Sequence, residues 1–204
     1  MKTNTTEKVR NRIKRYPKGK LFILNDFIDI ADRDTAKVEI NKLIKEDVLR
    51  RVYNGIYLKP RINKRLNMEV PPSHYDIVKQ IARKNNQQIT PYGNTALNLV
   101  GLSTQVPTTL EYATDGPSRT IQLTPGPVIN LKHVGKKSFF ENNDTNFTIN
   151  IIAYLSNNDI DNLTLKALGA RLDQQAYDNL LNVSNKLTTK TRNYIVQIGS
   201  YIND

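Results

Sequence analysis

A helix followed by a basic hairpin is predicted by residues 36–60, which read AKVEINKLIKEDVLRRVYNGIYLKP. In the first half, apolar residues recur at offsets 0, 4, 7 and 8, a spacing that places them on one inward face of a helix. They are Ala36, Ile40, Leu43 and Ile44. In the second half, Asn54-Gly55 separates two β-prone runs, and this pair is typical of a tight hairpin because both central residues take positive φ. We therefore expect a helix that begins near Asp32 or Asp34, with a two-stranded hairpin after it.

Two more helices are predicted upstream of this stretch. Asn4-Thr5-Thr6-Glu7 places a glutamate three positions after an N-cap residue, which is typical of a helix start. This helix would bury Val9, Ile13 and Tyr16 and end at Pro17-Lys18-Gly19. After a short apolar strand at 21–24, Asn25 or Asp26 can cap a second, short helix that buries Phe27, Ile28 and Ala31. Three helices followed by a hairpin predict a winged helix-turn-helix over residues 1–65.

The third helix and the hairpin supply the candidate DNA-binding residues. We expect Lys37, Asn41 and Lys42 to enter the major groove, because basic and short polar side chains reach phosphates and base edges. Arg50 and Arg51 would hold the hairpin along the backbone or in the minor groove. The complete predicted set is Arg33, Thr35, Lys37, Val38, Asn41, Lys42, Lys45, Arg50, Arg51 and Asn54.

The charge is concentrated in the same part of the chain. Residues 1–65 contain 18 Lys and Arg against 8 Asp and Glu, a net charge of +10, whereas residues 66–204 contain 12 against 11, a net charge of +1. Such asymmetry favours a polyanionic partner, and we expect double-stranded DNA. Three alternatives stay open: a basic face kept for solubility, an RNA-binding winged helix, and an antitoxin or adaptor that binds an acidic protein directly.

Two segments of the chain resemble AbiEi-type antitoxins. Ala36–Pro60 resembles their N-terminal domain, while Pro91–Pro107 (PYGNTALNLVGLSTQVP) and Tyr112–Arg119 (YATDGPSR) are similar to their central segment. The resemblance covers roughly residues 5–140. It implies a transcriptional regulator of a type IV toxin–antitoxin, or abortive-infection, system that binds inverted repeats in its own promoter. It also implies a separately encoded nucleotidyltransferase-like toxin as functional partner, without a stable complex. Only the winged helix, Ala36–Pro60, carries over residue by residue.

The remainder is expected to form a linker and a second domain, which makes the whole chain α+β. Residues 66–72 are polar and end in two prolines, which predicts the linker. Within 73–204, a helix is predicted to about Lys84, and a second helix opens at Thr90-Pro91 and closes at Gly101. A small antiparallel sheet is expected from the runs 110–114, 120–123 and 128–134.

The C-terminal region is predicted to be helical. Thr148–Leu155 leaves helix and strand open, because it is apolar but β-branched. Two helices are predicted around Leu165 and Leu180, and a third from Tyr194. The last helix suits either the core or a homodimer contact, and a dimer would read a palindromic operator.

Several functional classes are excluded by composition and motifs. The chain has no Cys and two His, which excludes a disulfide scaffold, a thiol nucleophile and thiolate or histidine-rich metal sites. It lacks the glycine-rich phosphate loops and the nucleophile elbow, so we expect no enzyme, cofactor or metal. No apolar run approaches the roughly 20 residues of a membrane span. The start lacks the apolar core of a signal peptide, so we expect a cytoplasmic bacterial protein.

Overall fold

The computed structural model describes residues 5–104, 107–135, 139–140, 143–156 and 159–202. They form a mixed α+β fold, which confirms the predicted class. The chain divides into two compact units, residues 1–87 and residues 88–204. The first unit therefore extends beyond residues 66–72, which the sequence predicts as a linker.

The first unit contains a small sheet between helices. Its elements are α1 (Thr5–Arg15), β1 (Leu21–Ile23), a 3-10 turn (Leu24–Phe27), α2 (Arg33–Lys45), β2 (Arg50–Tyr53), β3 (Ile56–Leu58), β4 (Ile62–Asn63), β5 (Met68–Glu69) and α3 (His74–Lys84). The strands β1, β3 and β2 form an antiparallel sheet in that order, and β4 pairs with β5 as a separate hairpin. Leu21 lies opposite Leu58, and Arg51 lies opposite Tyr57.

The core of this unit is aromatic. Phe22 lies at its centre, with ring centroids 5.4 Å from Tyr16, 5.8 Å from Phe27 and 5.7 Å from Tyr57. Around it pack the aliphatic faces of α1 and α2, including Val9, Ile13, Ala36, Ile40 and Leu43. The apolar stripes predicted for these two helices are therefore confirmed. Asn4, the predicted cap of α1, lies outside the described residues.

The prediction of the second helix is wrong in its length and in the burial of Ile28. Its place is taken by the 3-10 turn Leu24–Phe27, and Ile28 is 76% exposed. The period of three residues in 3-10 geometry brings Leu24 and Phe27 to the same buried side, and Ile28, one position later, does not share it. Phe27 and Ala31 are buried as predicted.

The predicted linker is replaced by structure that belongs to the first unit. The β4–β5 hairpin is held to β2 by an ion pair between Arg50 Nε and Glu69 Oε2 at 3.3 Å. The following helix α3 packs on β1 and β3 and buries Ile77, Val78, Ile81 and Ala82. A polar composition alone does not reveal such a hairpin, because its residues 61–68 are all exposed.

The second unit combines a four-stranded sheet with helices. Its elements are β6 (Ile89–Pro91), α4 (Gly93–Leu99), β7 (Thr109–Thr114), β8 (Arg119–Gln122), β9 (Val128–His133), α5 (Asn143–Leu155), α6 (Asn162–Gly169), α7 (Gln174–Ser184), α8 (Thr189–Ile198) and a terminal 3-10 turn (Gly199–Tyr201). The strand order is β6-β7-β9-β8. The predicted antiparallel pairing holds for β6 with β7 and for β8 with β9, whereas β7 and β9 are parallel.

The start of the predicted Thr90 helix is wrong. Thr90 and Pro91 lie in β6, opposite Ala113 and Tyr112, and the helix begins only at Gly93. Pro91 is tolerated there because β6 is an edge strand. On the outer side of an edge strand no neighbouring strand needs an N–H donor, so the N–H that proline lacks is not missed. Gly101, the predicted stop, follows the end of α4 with a φ of 75°.

The helical C-terminal region is confirmed, and its core is aliphatic. Thr148–Leu155 belongs to helix α5 rather than to a strand. Ile151, Ile152, Leu165, Leu180, Ile195 and Ile198 are fully or almost fully buried in one cluster. The last helix therefore contributes to the core. The longest helices of the described ranges, α2 and α5, have 13 residues each, and none has the length and apolarity that a bilayer crossing requires.

Candidate nucleic-acid interface

Helix α2 begins at a well-formed cap. The Asp32 carboxylate accepts the Thr35 backbone N–H at 2.8 Å and the Thr35 hydroxyl at 2.7 Å. Both bonds lower the pKa of Asp32 below its ordinary value, and the bond from the backbone N–H has the larger effect. Thr35 was predicted as a DNA contact, but the structure uses its hydroxyl to start the helix.

The exposed face of α2 has two rows of side chains. Arg33, Lys37 and Asn41 are spaced four residues apart and lie in one row along the side that faces the hairpin. The neighbouring row is exposed and contains Val38, Lys42 and Lys45. Val38 is 53% exposed. All of these residues belong to the predicted set.

The hairpin contacts the first row through Arg51. Its guanidinium Nη2 donates to Asn41 Oδ1 at 2.9 Å, and its Cζ lies 5.9 Å from the centroid of the Tyr57 ring. Tyr57 is buried and packs against Phe22 in the aromatic core. Arg51 is therefore positioned from both sides, and the Nδ2 donors of Asn41 have no partner within the described residues.

Arg50 does not join this face. Successive residues of a strand point to opposite sides, and Arg50 is engaged by two carboxylates, Asp47 Oδ1 at 3.0 Å and Glu69 Oε2 at 3.3 Å. The structure therefore separates the two arginines that the sequence groups together. Arg51 faces the open side of α2, while Arg50 fastens the second hairpin.

Other arginines of this unit form the framework behind α2. Arg10 on α1 donates to Glu39 Oε1 at 2.5 Å and to both carboxylate oxygens of Glu46 at 2.9 and 3.0 Å. Glu39 is only 2% exposed, so this pair fixes α1 against the inner face of α2. The bonds from Arg10 also hold the pKa of Glu46 below its ordinary value. These charges are neutralised within the protein and are not available to a ligand.

Four cations that have no ion pair with a carboxylate among the described residues line a pocket of about 270 Å³. It is lined by Arg33 and Lys37 from α2, Arg51 from β2, Asn54 from the turn, and Lys84 from the last turn of α3. Lys84 Nζ donates to the Asn54 carbonyl at 2.9 Å. A Cβ at position 55 would lie 3.1 Å from Lys84 Nζ, so the end of this lysine would have to shift by a few tenths of an ångström to make room for a side chain there.

Lys84 is the residue that sequence reasoning missed. It lies 29 residues beyond Gly55 in the chain, behind a segment that the sequence predicts as a linker. The basic last turn of α3 is an ordinary helix ending and gives no signal for a contact with the hairpin. The packing of α3 on β1 and β3 brings it there.

A larger groove of about 540 Å³ on the same unit has a mixed lining. It contains Lys18, Lys20 and Arg61, but also Asp76, whose carboxylate accepts the Ser73 hydroxyl at 2.7 Å in the cap of α3. The remaining lining is largely proline and aliphatic. Its charge is less uniform than that of the smaller pocket.

The segments of the second unit that resemble AbiEi-type antitoxins contain side chains that bond to the backbone around β6, α4 and β7. The backbone N–H of Asn94 donates to Glu111 Oε2 at 3.3 Å, and Gly93 takes a φ of 55° where a side chain would collide with this carboxylate. His133 Nδ1 lies 2.8 Å from the Gly116 carbonyl. Within the described residues, no group of three or more His, Asp or Glu side chains is placed to hold a metal ion.

Comparisons with known proteins identify a protein family. None of the curated proteins matches this sequence. A family model covers residues 8–180, which include the candidate interface and most of the second unit. The chain therefore belongs to this family, a family of unknown function designated DUF6088.

Proposed function

We propose that this protein is a DNA-binding transcriptional regulator whose first unit works as a winged helix-turn-helix. The order of α1, the 3-10 turn, α2 and the β2–β3 hairpin supports this reading, with α2 as the recognition helix and the hairpin as the wing. The observation that carries the proposal is the placement of Arg33, Lys37 and Arg51, without an acidic partner in residues 5–104, on one open face beside Asn41.

Binding would divide between phosphate contacts and base contacts. Lys37, Lys42 and Lys45 extend from an exposed helix face and neutralise phosphates, so affinity depends on salt through counterion release. Asn41 lies between these lysines with unpaired amide donors, and its oxygen is oriented by Arg51. An asparagine amide pairs with the N6 and N7 edge of adenine in the major groove. Asn41 is thus the base-reading residue.

The biological setting follows from the resemblance to AbiEi-type antitoxins. We infer an autoregulating antitoxin that binds inverted repeats upstream of its own gene in the bacterial cytoplasm. A nucleotidyltransferase-like toxin, encoded separately, would be its functional partner, without a stable complex. No residue of the second unit is assigned to the antitoxic activity, and no catalytic role is proposed for either unit.

A fluorescence-anisotropy titration tests the DNA-binding proposal. The purified protein is titrated against its own upstream promoter DNA and against a scrambled duplex of equal length, at two salt concentrations. We expect tighter binding to the promoter and weaker binding to both duplexes at the higher salt. Lys42→Ala should lower the affinity for both duplexes and reduce the salt dependence by about one counterion.

Lys186→Ala is the matched control, because Lys186 is also an exposed lysine but belongs to the neutral second unit. It should leave both affinities unchanged. Equal affinity for promoter and scrambled DNA would contradict the regulator. Displacement of DNA by tRNA at constant salt would identify RNA as the ligand instead.

A further inference from the structure

We infer that Arg33, Lys37, Arg51 and Lys84 form a pocket that binds a single phosphate group. The phosphate would be a phosphodiester of the bound duplex, and this part of the inference rests on the proposed function. Three separate elements supply the four cations: α2, β2 and the end of α3. Lys84 adds a DNA contact from outside the winged helix.

The electrostatics of the pocket favour an anion. None of the described residues that line it is acidic, so no carboxylate within the lining offsets its four positive charges. Asp32 and Asp34 flank Arg33 in the chain, but Asp32 caps α2 and neither residue lines the pocket. Like charges held close together repel, and a bound phosphate relieves that repulsion.

The size of the pocket fits a small anion. Its volume of about 270 Å³ lies just below the range of about 300–1,000 Å³ that is usual for pockets binding larger organic ligands. Guanidinium groups bind phosphate oxygens in a bidentate fashion, and lysines add point charges, so two of each make a suitable donor set.

The pocket is built rather than accidental. Arg51 is fixed by Asn41 and Tyr57, and Lys84 is fixed by the Asn54 carbonyl. Gly55 takes a φ of 73° and leaves the space that Lys84 occupies. Because the pocket adjoins Asn41, a phosphate held there would set the register in which α2 meets the bases.

The duplex arm of the test compares three variants of Lys84 with a control on the same helix. Lys84→Gln removes the charge but keeps a donor for the Asn54 carbonyl, Lys84→Ala removes both, and Lys84→Arg restores the charge. Lys79→Ala is the control, because Lys79 is exposed on α3 and does not line the pocket. Circular dichroism and thermal unfolding verify that each variant is folded.

For the two uncharged variants we expect about tenfold weaker binding to both the promoter and the scrambled duplex. Their salt dependence should fall by about one counterion. Lys84→Arg should restore the affinity, and Lys79→Ala should match the wild type. Wild-type affinity and salt dependence in a folded Lys84→Gln protein would overturn the assignment of the phosphate to the duplex.

The anion arm uses inorganic phosphate as the probe and follows the backbone amide signals of Gly55 and Lys84 by NMR. We expect saturable shifts in the wild type and their loss in Lys84→Gln. Shifts without any DNA binding would refute the proposed regulator and leave free phosphate or a phosphorylated small molecule as the source. An absence of shifts together with unaltered DNA binding by Lys84→Gln would overturn the pocket altogether.

Discussion

The two units of this protein differ most in how they use charge. Residues 1–87 contain 21 Lys and Arg against 10 Asp and Glu, whereas residues 88–204 contain 9 of each, so the entire net charge of +11 belongs to the first unit. The first unit packs an aromatic cluster under a sheet of three short strands, while the second buries isoleucines and leucines from four helices. The excess positive charge, which favours an anionic partner, therefore lies in the first unit.

Within the first unit, charge has two separate roles. Arg10, Arg12, Arg50 and Arg83 pair with carboxylates and connect helices, turns and hairpins. Arg33, Lys37 and Arg51 line one pocket and have no carboxylate partner in the part of the chain that the structure describes. The number of cations in the first unit is therefore larger than the number that an anionic ligand can contact. Whether a cation already pairs with a carboxylate decides to which group it belongs.

The largest effect is expected from removing the ring of Phe27. Phe27 is fully buried and contacts Phe22 edge-on, so Phe27→Ala should lower the free energy of unfolding of the first unit by about 3–5 kcal/mol. Leu180→Ala should lower that of the second unit by about 2–5 kcal/mol, because Leu180 is fully buried in the other cluster. Amide hydrogen exchange at Ile40 and Ile195 reports the two units separately. Equal loss of protection at both amides in Phe27→Ala would show that the two cores are one cooperative system.

The cores show what the sequence predicts well. Periodic apolar residues identify α1, α2 and the C-terminal helices, because a helix must bury one face whatever packs on it. Cap signals are less reliable: they predict a helix around Ile28, where a 3-10 turn forms instead, and a helix start at Pro91, which lies in an edge strand. Both depend on the neighbouring strands, and the pattern of a short segment does not contain that information.

The second prediction separates the two adjacent arginines of β2. Arg51→Ala should weaken binding to promoter and scrambled DNA alike, by about tenfold, since it removes a phosphate ligand on the open face. The affinity of Arg51→Lys should lie between those of the wild type and Arg51→Ala, because lysine keeps the charge but lacks the planar guanidinium that bonds to Asn41.

Arg50→Ala is the matched control and should have less effect on DNA, since Arg50 is held by Asp47 and Glu69. Anisotropy titrations on the same two duplexes measure all three variants. Equal losses for Arg50→Ala and Arg51→Ala would mean that the ion pairs of Arg50 break in the complex. The division between paired and unpaired cations would then fail.

The third prediction concerns Asn41, the one uncharged side chain in the row. Asn41→Ala should weaken binding to the promoter by about fivefold or more and change binding to scrambled DNA little, because a base contact acts only on the correct sequence. Asn193→Ala is the control, an exposed asparagine on α8 of the neutral unit. A uniform loss on both duplexes would show that Asn41 positions Arg51 and does not read bases.

The candidate site was predictable in its outline but not in its connections. All ten predicted residues lie on α2, on β2 or next to β2 with exposed or half-exposed side chains, yet Thr35 serves the cap of α2 and Arg50 serves an ion pair. Asn54 contributes its carbonyl to Lys84. Lys84 itself could not be found, because its role depends on the packing of α3, a contact between segments far apart in the chain.

The smallest expected effect is a difference in acid sensitivity between the units. In the first unit, hydrogen bonds from Arg12, Thr35 and Arg10 lower the pKa values of Asp29, Asp32 and Glu46, while in the second unit Thr164 does the same for Asp161. A lowered pKa means that the folded state binds protons less readily than the unfolded chain. The stabilisation is therefore complete above the ordinary pKa values of 3.8 for Asp and 4.5 for Glu and is lost as the pH falls below them.

Hydrogen exchange at Ile40 should thus accelerate more than exchange at Ile195 when the pH is lowered from 6 to 3, after correction for the intrinsic exchange rate. Replacing the exposed pair with Arg12→Ala and Asp29→Ala should reduce this pH dependence in the first unit and leave the second unit unaltered, because the pair no longer contributes in either protonation state. The effect is small because these carboxylates are at or near the surface, where water and salt screen each interaction. If both units lost protection equally, charge would not distinguish their stabilities, and the contrast between them would be confined to the binding surface.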